Sequence, residues 1–183
     1  MNRRQLLTVN LTEDIEQPRL QSSTGLTPYS GSWTIAEVRH LLHRTLFCAT
    51  KADVNYFLSQ GLTQTIAELL TPVSPPAPPL YVYTSNYADP DVPFGNSWIN
   101  APVNTQANSY RLKSYRAWWV SQLLSQNRSI HEKMVLFWHN HFSTETSAVN
   151  DARYCYLHNT VLRQYALGNF KDMTRSITLD PAM

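Results

Sequence analysis

Eight of the chain's eleven prolines lie between Thr71 and Pro102, and they split the sequence into two helix-forming halves. Proline lacks a backbone N–H and its ring clashes with the preceding turn, so no helix runs through Pro72, Pro75-Pro76, Pro78-Pro79, Pro90 or Pro93. The stretch is predicted to be extended over residues 71–103. Tyr81, Tyr83, Tyr87, Phe94 and Trp98 are interleaved with the prolines. A plain linker has no need of so many rings. The stretch therefore reads as an irregular arm that wraps over a helical body and packs by its aromatics, with an aromatic ligand platform as the sharper alternative.

The first half is predicted to begin its organised structure near Trp33. Thr34 and Glu37 have capping-box spacing, and Ile35, Val38, Leu41, Leu42 and Leu46 follow as a helical stripe. His40 and His43 share that helix with Arg39 and Arg44, and all four are expected in solvent. Thr50 and Asp53 introduce a second helix carrying Val54, Phe57 and Leu58, which Gly61 would stop. A third begins near Thr63, carries Ile66, Leu69 and Leu70, and ends before Pro72.

Beyond the arm, a long helix is predicted from Asn104 to Ser125. Tyr110, Leu112, Tyr115, Trp118, Trp119, Leu123 and Leu124 give it wide apolar coverage, and Arg111, Lys113 and Arg116 a polar side. Another helix spans Asp151 to Ala166, with Tyr154, Leu157, Val161, Leu162 and Tyr165 inward and Gly168 closing it. Asn169 caps a last helix through Phe170, Met173 and Ile177, ending before Asp180-Pro181. No segment shows strand alternation. The expected fold is all-α, an irregular bundle of about six or seven helices with a Pro/aromatic-rich extended arm. Residues 1–30, with few apolar side chains, read as a poorly ordered tail, and 31–183 as a single helical domain.

Composition narrows the function classes. Of the 183 residues 43% are apolar and only 15% charged, a globular profile of one-domain length. The net charge of +2 comes from scattered basic residues, which argues against a nucleic-acid partner. No run is long enough to span a membrane. Cys48 and Cys155 read as two buried free thiols, with a disulfide between them as the alternative. Asn2-Arg3-Arg4-Gln5-Leu6-Leu7 resembles the start of a twin-arginine export signal, although Asn10, Thr12, Glu13 and Asp14 interrupt the apolar run such a signal needs. An exported chain and a polar-tailed cytoplasmic one both remain open.

Chemistry concentrates in Ser129 to Phe142. Ser129 and Glu132 have capping-box spacing. Met134, Phe137, Trp138 and His141 form a predicted buried stripe, and Glu132, Leu136 and His139 a further face. Residues two apart on a helix point about 200° away from each other, so His139 and His141 share a metal only if the helix ends near His139. Ser143-Thr144-Glu145-Thr146-Ser147 would suit that ending. A zinc or iron site needs about three protein ligands. Asp180, Glu132, Glu145 or His158 could supply the third, and the metal would activate water for hydrolysis. In the plainer reading one histidine caps the helix C-terminus and the other hydrogen-bonds in the core. The letters His-Asn-His do not mark an HNH nuclease, which needs a ββα-metal hairpin. No nucleophile elbow and no phosphate-binding glycine loop are present.

A family resemblance covers roughly residues 28–183. Leu136-Phe137-Trp138-His139-Asn140-His141-Phe142, preceded by Arg128 and Glu132-Lys133-Met134, resembles the signature of the bacterial domain-of-unknown-function family 1800. Leu162-Arg163, Ala166-Leu167-Gly168-Asn169-Phe170 and Thr178-Leu179-Asp180-Pro181-Ala182-Met183 resemble its next two motifs. Leu41-Leu42-His43-Arg44-Thr45-Leu46-Phe47 is similar to its opening, with Cys48 where the family has Gly at a tight turn. The resemblance implies a mostly helical protein without an agreed activity, often exported. It also implies that this chain is the N-terminal part of a longer domain, since family members continue past Asp-Pro-Ala-Met into an acidic segment. Apolar surface left bare by truncation would then favour self-association.

Two function classes follow. One is a helical scaffold or binding module, in which these residues fix the core. The other is a metal-dependent, hydrolase-like enzyme of the cell envelope, with His139 and His141 holding a divalent metal and Asp180 and Glu132 as catalytic acids or bases.

Overall fold

The computed structural model describes residues 27–82, 87–125 and 127–183. The twin-arginine-like start, most of the predicted tail and Tyr83 of the arm lie outside them. The chain divides into two units, Met1–Gly31 and Ser32–Met183. The described residues of the first, 27–31, carry no helix or strand.

The second unit is all-α, with seven helices among the described residues: α1 Ile35–Thr45, α2 Lys51–Leu69, α3 Thr105–Leu124, α4 His131–His141, α5 Thr146–Val149, α6 Ala152–Gln164 and α7 Phe170–Ile177. Local sequence chemistry sets most of the boundaries. Complete capping boxes at Thr34/Glu37 and Thr50/Asp53 satisfy free backbone donors at the starts of α1 and α2. Asn104, Asp151 and Asn169 accept from first-turn amides of α3, α6 and α7. Gly61 lies within the α2 span at φ 74°, ψ 166°, non-helical backbone that kinks the element where the sequence expects one helix to stop and the next to follow. That left-handed backbone is open to glycine at little steric cost. Cys48 does not need such freedom, because Asn150 is the only non-glycine with positive φ among the described residues.

Three apolar clusters hold the unit together. Val38, Leu42 and Leu46 of the first helix and its C-cap pack with Val54, Phe57 and Leu69 of α2. Burying each such side chain contributes about 1.5–3 kcal/mol. Trp98 and Tyr81 of the arm pack with Leu112 and Tyr115 of α3 and with Ala152 and Cys155 of α6. Leu162, Met173 and Ile177 join α6 to α7, flanked by Trp138 and Phe142.

The arm therefore wraps the body by its rings. Trp98 is fully buried, Trp118 Nε1 donates to Ala77 O at 2.8 Å, and Tyr87 stacks on Tyr110. Phe94 stays exposed. Asp89 pairs with Arg111 at 2.7 Å, both buried. Arg111 thus leaves the polar side of α3 that the sequence suggested, because an acid of the arm lies over it; Lys113 and Arg116 remain exposed. The free thiols also differ from expectation. Cys155 is buried and Cys48 exposed.

Candidate functional site

α4 stays helical from His131 through His141, and only Phe142, at φ −100° and ψ 65°, leaves the helix. His139 and His141 therefore project to different sides. The ring of His139 lies 4.7 Å from Trp119 and 5.6 Å from His158, centroid to centroid. The ring of His141 lies against Trp138 and Phe142 and is exposed. The fold does not bring the two imidazoles together as ligands of one ion. Glu145 is exposed at the start of α5 and accepts from Ser147. Among the described residues, no group of three or more His, Cys, Asp and Glu side chains is placed to hold a metal.

The buried face of α4 is also not the predicted one. It runs through His131, Glu132 and Val135, while Phe137 is 54% exposed. Glu132 makes no capping box. Its carboxylate is drawn instead to Arg163 of α6, whose Nη1 donates to Oε1 and whose Nη2 donates to Oε2 at 3.0 Å. Ser129 takes part of the capping role alone, accepting from His131 N at 3.2 Å. The Arg163–Glu132 pair is bidentate and buried, with Asn159 Oδ1 at 3.4 Å from Nη2.

The second pair joins α6 to the C-terminal turn. His158 Nδ1 lies 2.7 Å from Asp180 Oδ2, and both side chains are fully buried. His158 Nε2 lies 3.0 Å from Phe142 O. A carbonyl only accepts, so Nε2 carries a hydrogen. The Nδ1–Oδ2 contact then needs one proton between its two atoms, supplied by an imidazolium or by a protonated carboxyl. His158 thus satisfies a carbonyl at the end of α4, the capping task that the sequence suggested for a histidine of α4 itself. The other oxygen of Asp180 accepts from Ala182 N at 3.0 Å, which ties down the Asp-Pro-Ala-Met turn.

α6 supplies the inner half of both pairs, and sequence reasoning missed this. Its buried residues are Ala152, Cys155, His158, Asn159, Leu162 and Arg163, a stripe at three- and four-residue spacing. Tyr154 and Leu157, expected inward, are 40% and 43% exposed. The spacing was readable, but it is carried mostly by polar letters, and their partners lie 31 and 22 residues away in sequence.

Two more histidines border the cluster. His139 is pushed down to about 4, by burial first and by the neighbouring His158 second. His131 is lowered by burial and then by the Arg163 charge. Both ring nitrogens of His131, together with Arg163 Nε and Asn159 Nδ2, are buried without a hydrogen-bond partner. Burial raises the Tyr115 phenol and pushes the Cys155 thiol up to about 11, so neither ionises near neutrality.

A family model described as "Protein of unknown function (DUF1800)" matches residues 40–183. The chain belongs to that family. No curated protein and no solved structure matches it. No helix among the described residues is long and apolar enough to cross a membrane.

Proposed function

We propose that, in this member of the DUF1800 family, the domain is a helical scaffold or binding module whose motif acids and imidazoles hold helices together. One observation carries the reading. Every carboxyl oxygen of Glu132 and Asp180 already has a partner within the protein: Arg163 for both oxygens of Glu132, and His158 and Ala182 for those of Asp180. A general base must reach a substrate proton, and a catalytic metal ligand must turn a lone pair to the ion. Here both acids are buried and turned into the fold instead.

Each pair bridges elements far apart in the chain, α4 to α6 and α6 to the Asp180 turn. Breaking one partner of such a pair leaves an uncompensated buried group and costs about 3–5 kcal/mol. Equilibrium unfolding of Glu132→Gln and Asp180→Ala tests the reading. It expects both denaturation midpoints to fall well below wild type. Variants as stable as wild type would remove its support.

A further inference from the structure

α1 and α2 carry an apolar core of their own. Every member of that cluster lies between Trp33 and Leu69, while the members of the other two lie between Tyr81 and Ile177. Apolar burial therefore holds α1 to α2 and joins α3, α6 and α7 to the arm and to one another, with no common cluster across the two groups.

Polar contacts make the join instead. Among the described residues, the hydrogen bonds and ion pairs that reach α1, α2 and their caps from beyond the arm all start in one stretch, Arg128–Lys133. Arg128 Nε donates to Asp53 Oδ1 at 3.0 Å, and its guanidinium lies 3.8 Å from the Tyr56 ring centre. Ile130 N and Ser129 Oγ donate to Leu69 O at 2.9 and 3.3 Å. Lys133 Nζ donates to Leu46 O at 3.2 Å and sits 4.5 Å from the Phe47 ring centre. Leu46 caps α1 and Leu69 ends α2, so the stretch serves carbonyls at helix ends, where intrahelical partners run out.

This seam is weaker than the body it joins. The side chains of Arg128 and Asp53 are 39% and 21% exposed, against 2% and 0% for Arg111 and Asp89 and 6% and 10% for Arg163 and Glu132. An exposed pair contributes little and is screened by salt, and a buried pair is screened much less. α1 and α2 are also too short to stand alone. The span Ile35–Leu69 falls below the roughly 40 residues under which a chain needs cross-links, a metal or a partner to stay folded. Release of the seam therefore melts both helices together.

We propose that α1–α2 is a lobe that opens and unfolds as one unit, ahead of α3, α4, α6 and α7, when the Arg128–Lys133 seam lets go. Opening uncovers Ser129, which the closed lobe keeps 5% exposed, and higher ionic strength favours it. The proposal goes beyond the scaffold reading, none of whose paired residues makes a seam contact.

Hydrogen exchange of the full chain, followed by mass spectrometry in sub-denaturing urea, tests it. Peptides of α1 and α2 are expected to exchange together, about tenfold or more faster than those of α6 and α7 and with a shallower urea dependence. Raising NaCl from about 0.1 to about 1 M, which cuts the screening length from about 10 to about 3 Å, should speed α1–α2 more than α6–α7. The double variant Arg128→Met/Lys133→Met keeps side-chain bulk and removes both charges. It should speed α1–α2 about tenfold, the equivalent of roughly one hydrogen bond, and leave α6–α7 within about twofold. Equal rates and urea dependence in α1–α2 and α6 would overturn the proposal. So would salt or the double variant acting on all these helices alike, or a double variant that leaves α1–α2 unchanged. A double variant that fails to fold would overturn it too, because the seam would then hold the whole domain.

Discussion

Arg163 of α6 faces Glu132 of α4 as a two-pronged buried ion pair, 31 residues apart in sequence. The guanidinium fork matches both carboxylate oxygens, a geometry that lysine could not reproduce. This contact joins two motifs that are separate along the chain. Removing one partner strands the other charge in a dry place. Glu132→Leu and Arg163→Met are each expected to lose about 3–5 kcal/mol in urea unfolding, while the double variant recovers much of the loss. Additive losses would mean that the pair does not act as a unit.

Asp180 predicts an order among its own substitutions. Asparagine keeps an oxygen for Ala182 N and offers an N–H to His158 Nδ1, so the Nε2–H bond to Phe142 O survives. Alanine keeps neither. Asp180→Asn should therefore cost less than Asp180→Ala, by about 1–2 kcal/mol, in equilibrium unfolding. Equal costs would show that the hydrogen-bond pattern is unimportant there.

His139 makes stability depend on pH. It holds about 4 in the fold against the ordinary 6.5, so between those values the unfolded chain binds a proton that the folded chain refuses. The stability it secures is complete above about pH 6.5 and is lost as pH falls toward 4. His131 is lowered too and adds in the same direction. Urea midpoints at pH 7 and pH 5 should fall with acid, and His139→Phe should narrow that gap. An unchanged gap would assign the acid sensitivity to other groups.

Trp98 anchors the arm. It is fully buried, against Tyr156 at 6.3 Å, in the cluster formed with α3 and α6. Trp98→Ala is expected to cost about 3–5 kcal/mol, whereas Phe94→Ala, at a ring 63% exposed, should stay within about 0.5 kcal/mol. Thermal melts of the two variants separate an arm that is part of the core from a linker that is not.

Much of the fold was legible because helix ends are written locally. Thr34 with Glu37, Thr50 with Asp53, Asn104 and Asn169 each announce a helix within a few residues, and each cap forms. The same logic misled at Ser129 and Glu132, where the letters of a capping box are present. There a distant arginine offers the carboxylate a stronger partner than a backbone amide. Along α6 and α4, the apolar letters alone point to a different inner face from the one the fold buries. The inner face is shared instead by Leu162 with polar residues that have partners inside: Arg163 meets Glu132 and Asn159, and His158 meets Asp180. Local sequence carries the helix period but not the identity of a partner 22 or 31 residues away. After Phe142 the chain leaves the helix over residues 143–145 and then forms the short helix α5, closed by the left-handed Asn150.

In the scaffold reading, the imidazoles and acids around the Trp138–Phe142 motif serve packing and hydrogen bonding, with His139 and His141 acting apart. Metal content of the purified protein by mass spectrometry, compared among wild type, His139→Ala and His141→Ala, tests it most directly. No shared stoichiometric metal is expected, with His139→Ala destabilised and His141→Ala melting close to wild type. Zinc, iron or manganese near one equivalent in the wild type, lost equally in both variants, would contradict it.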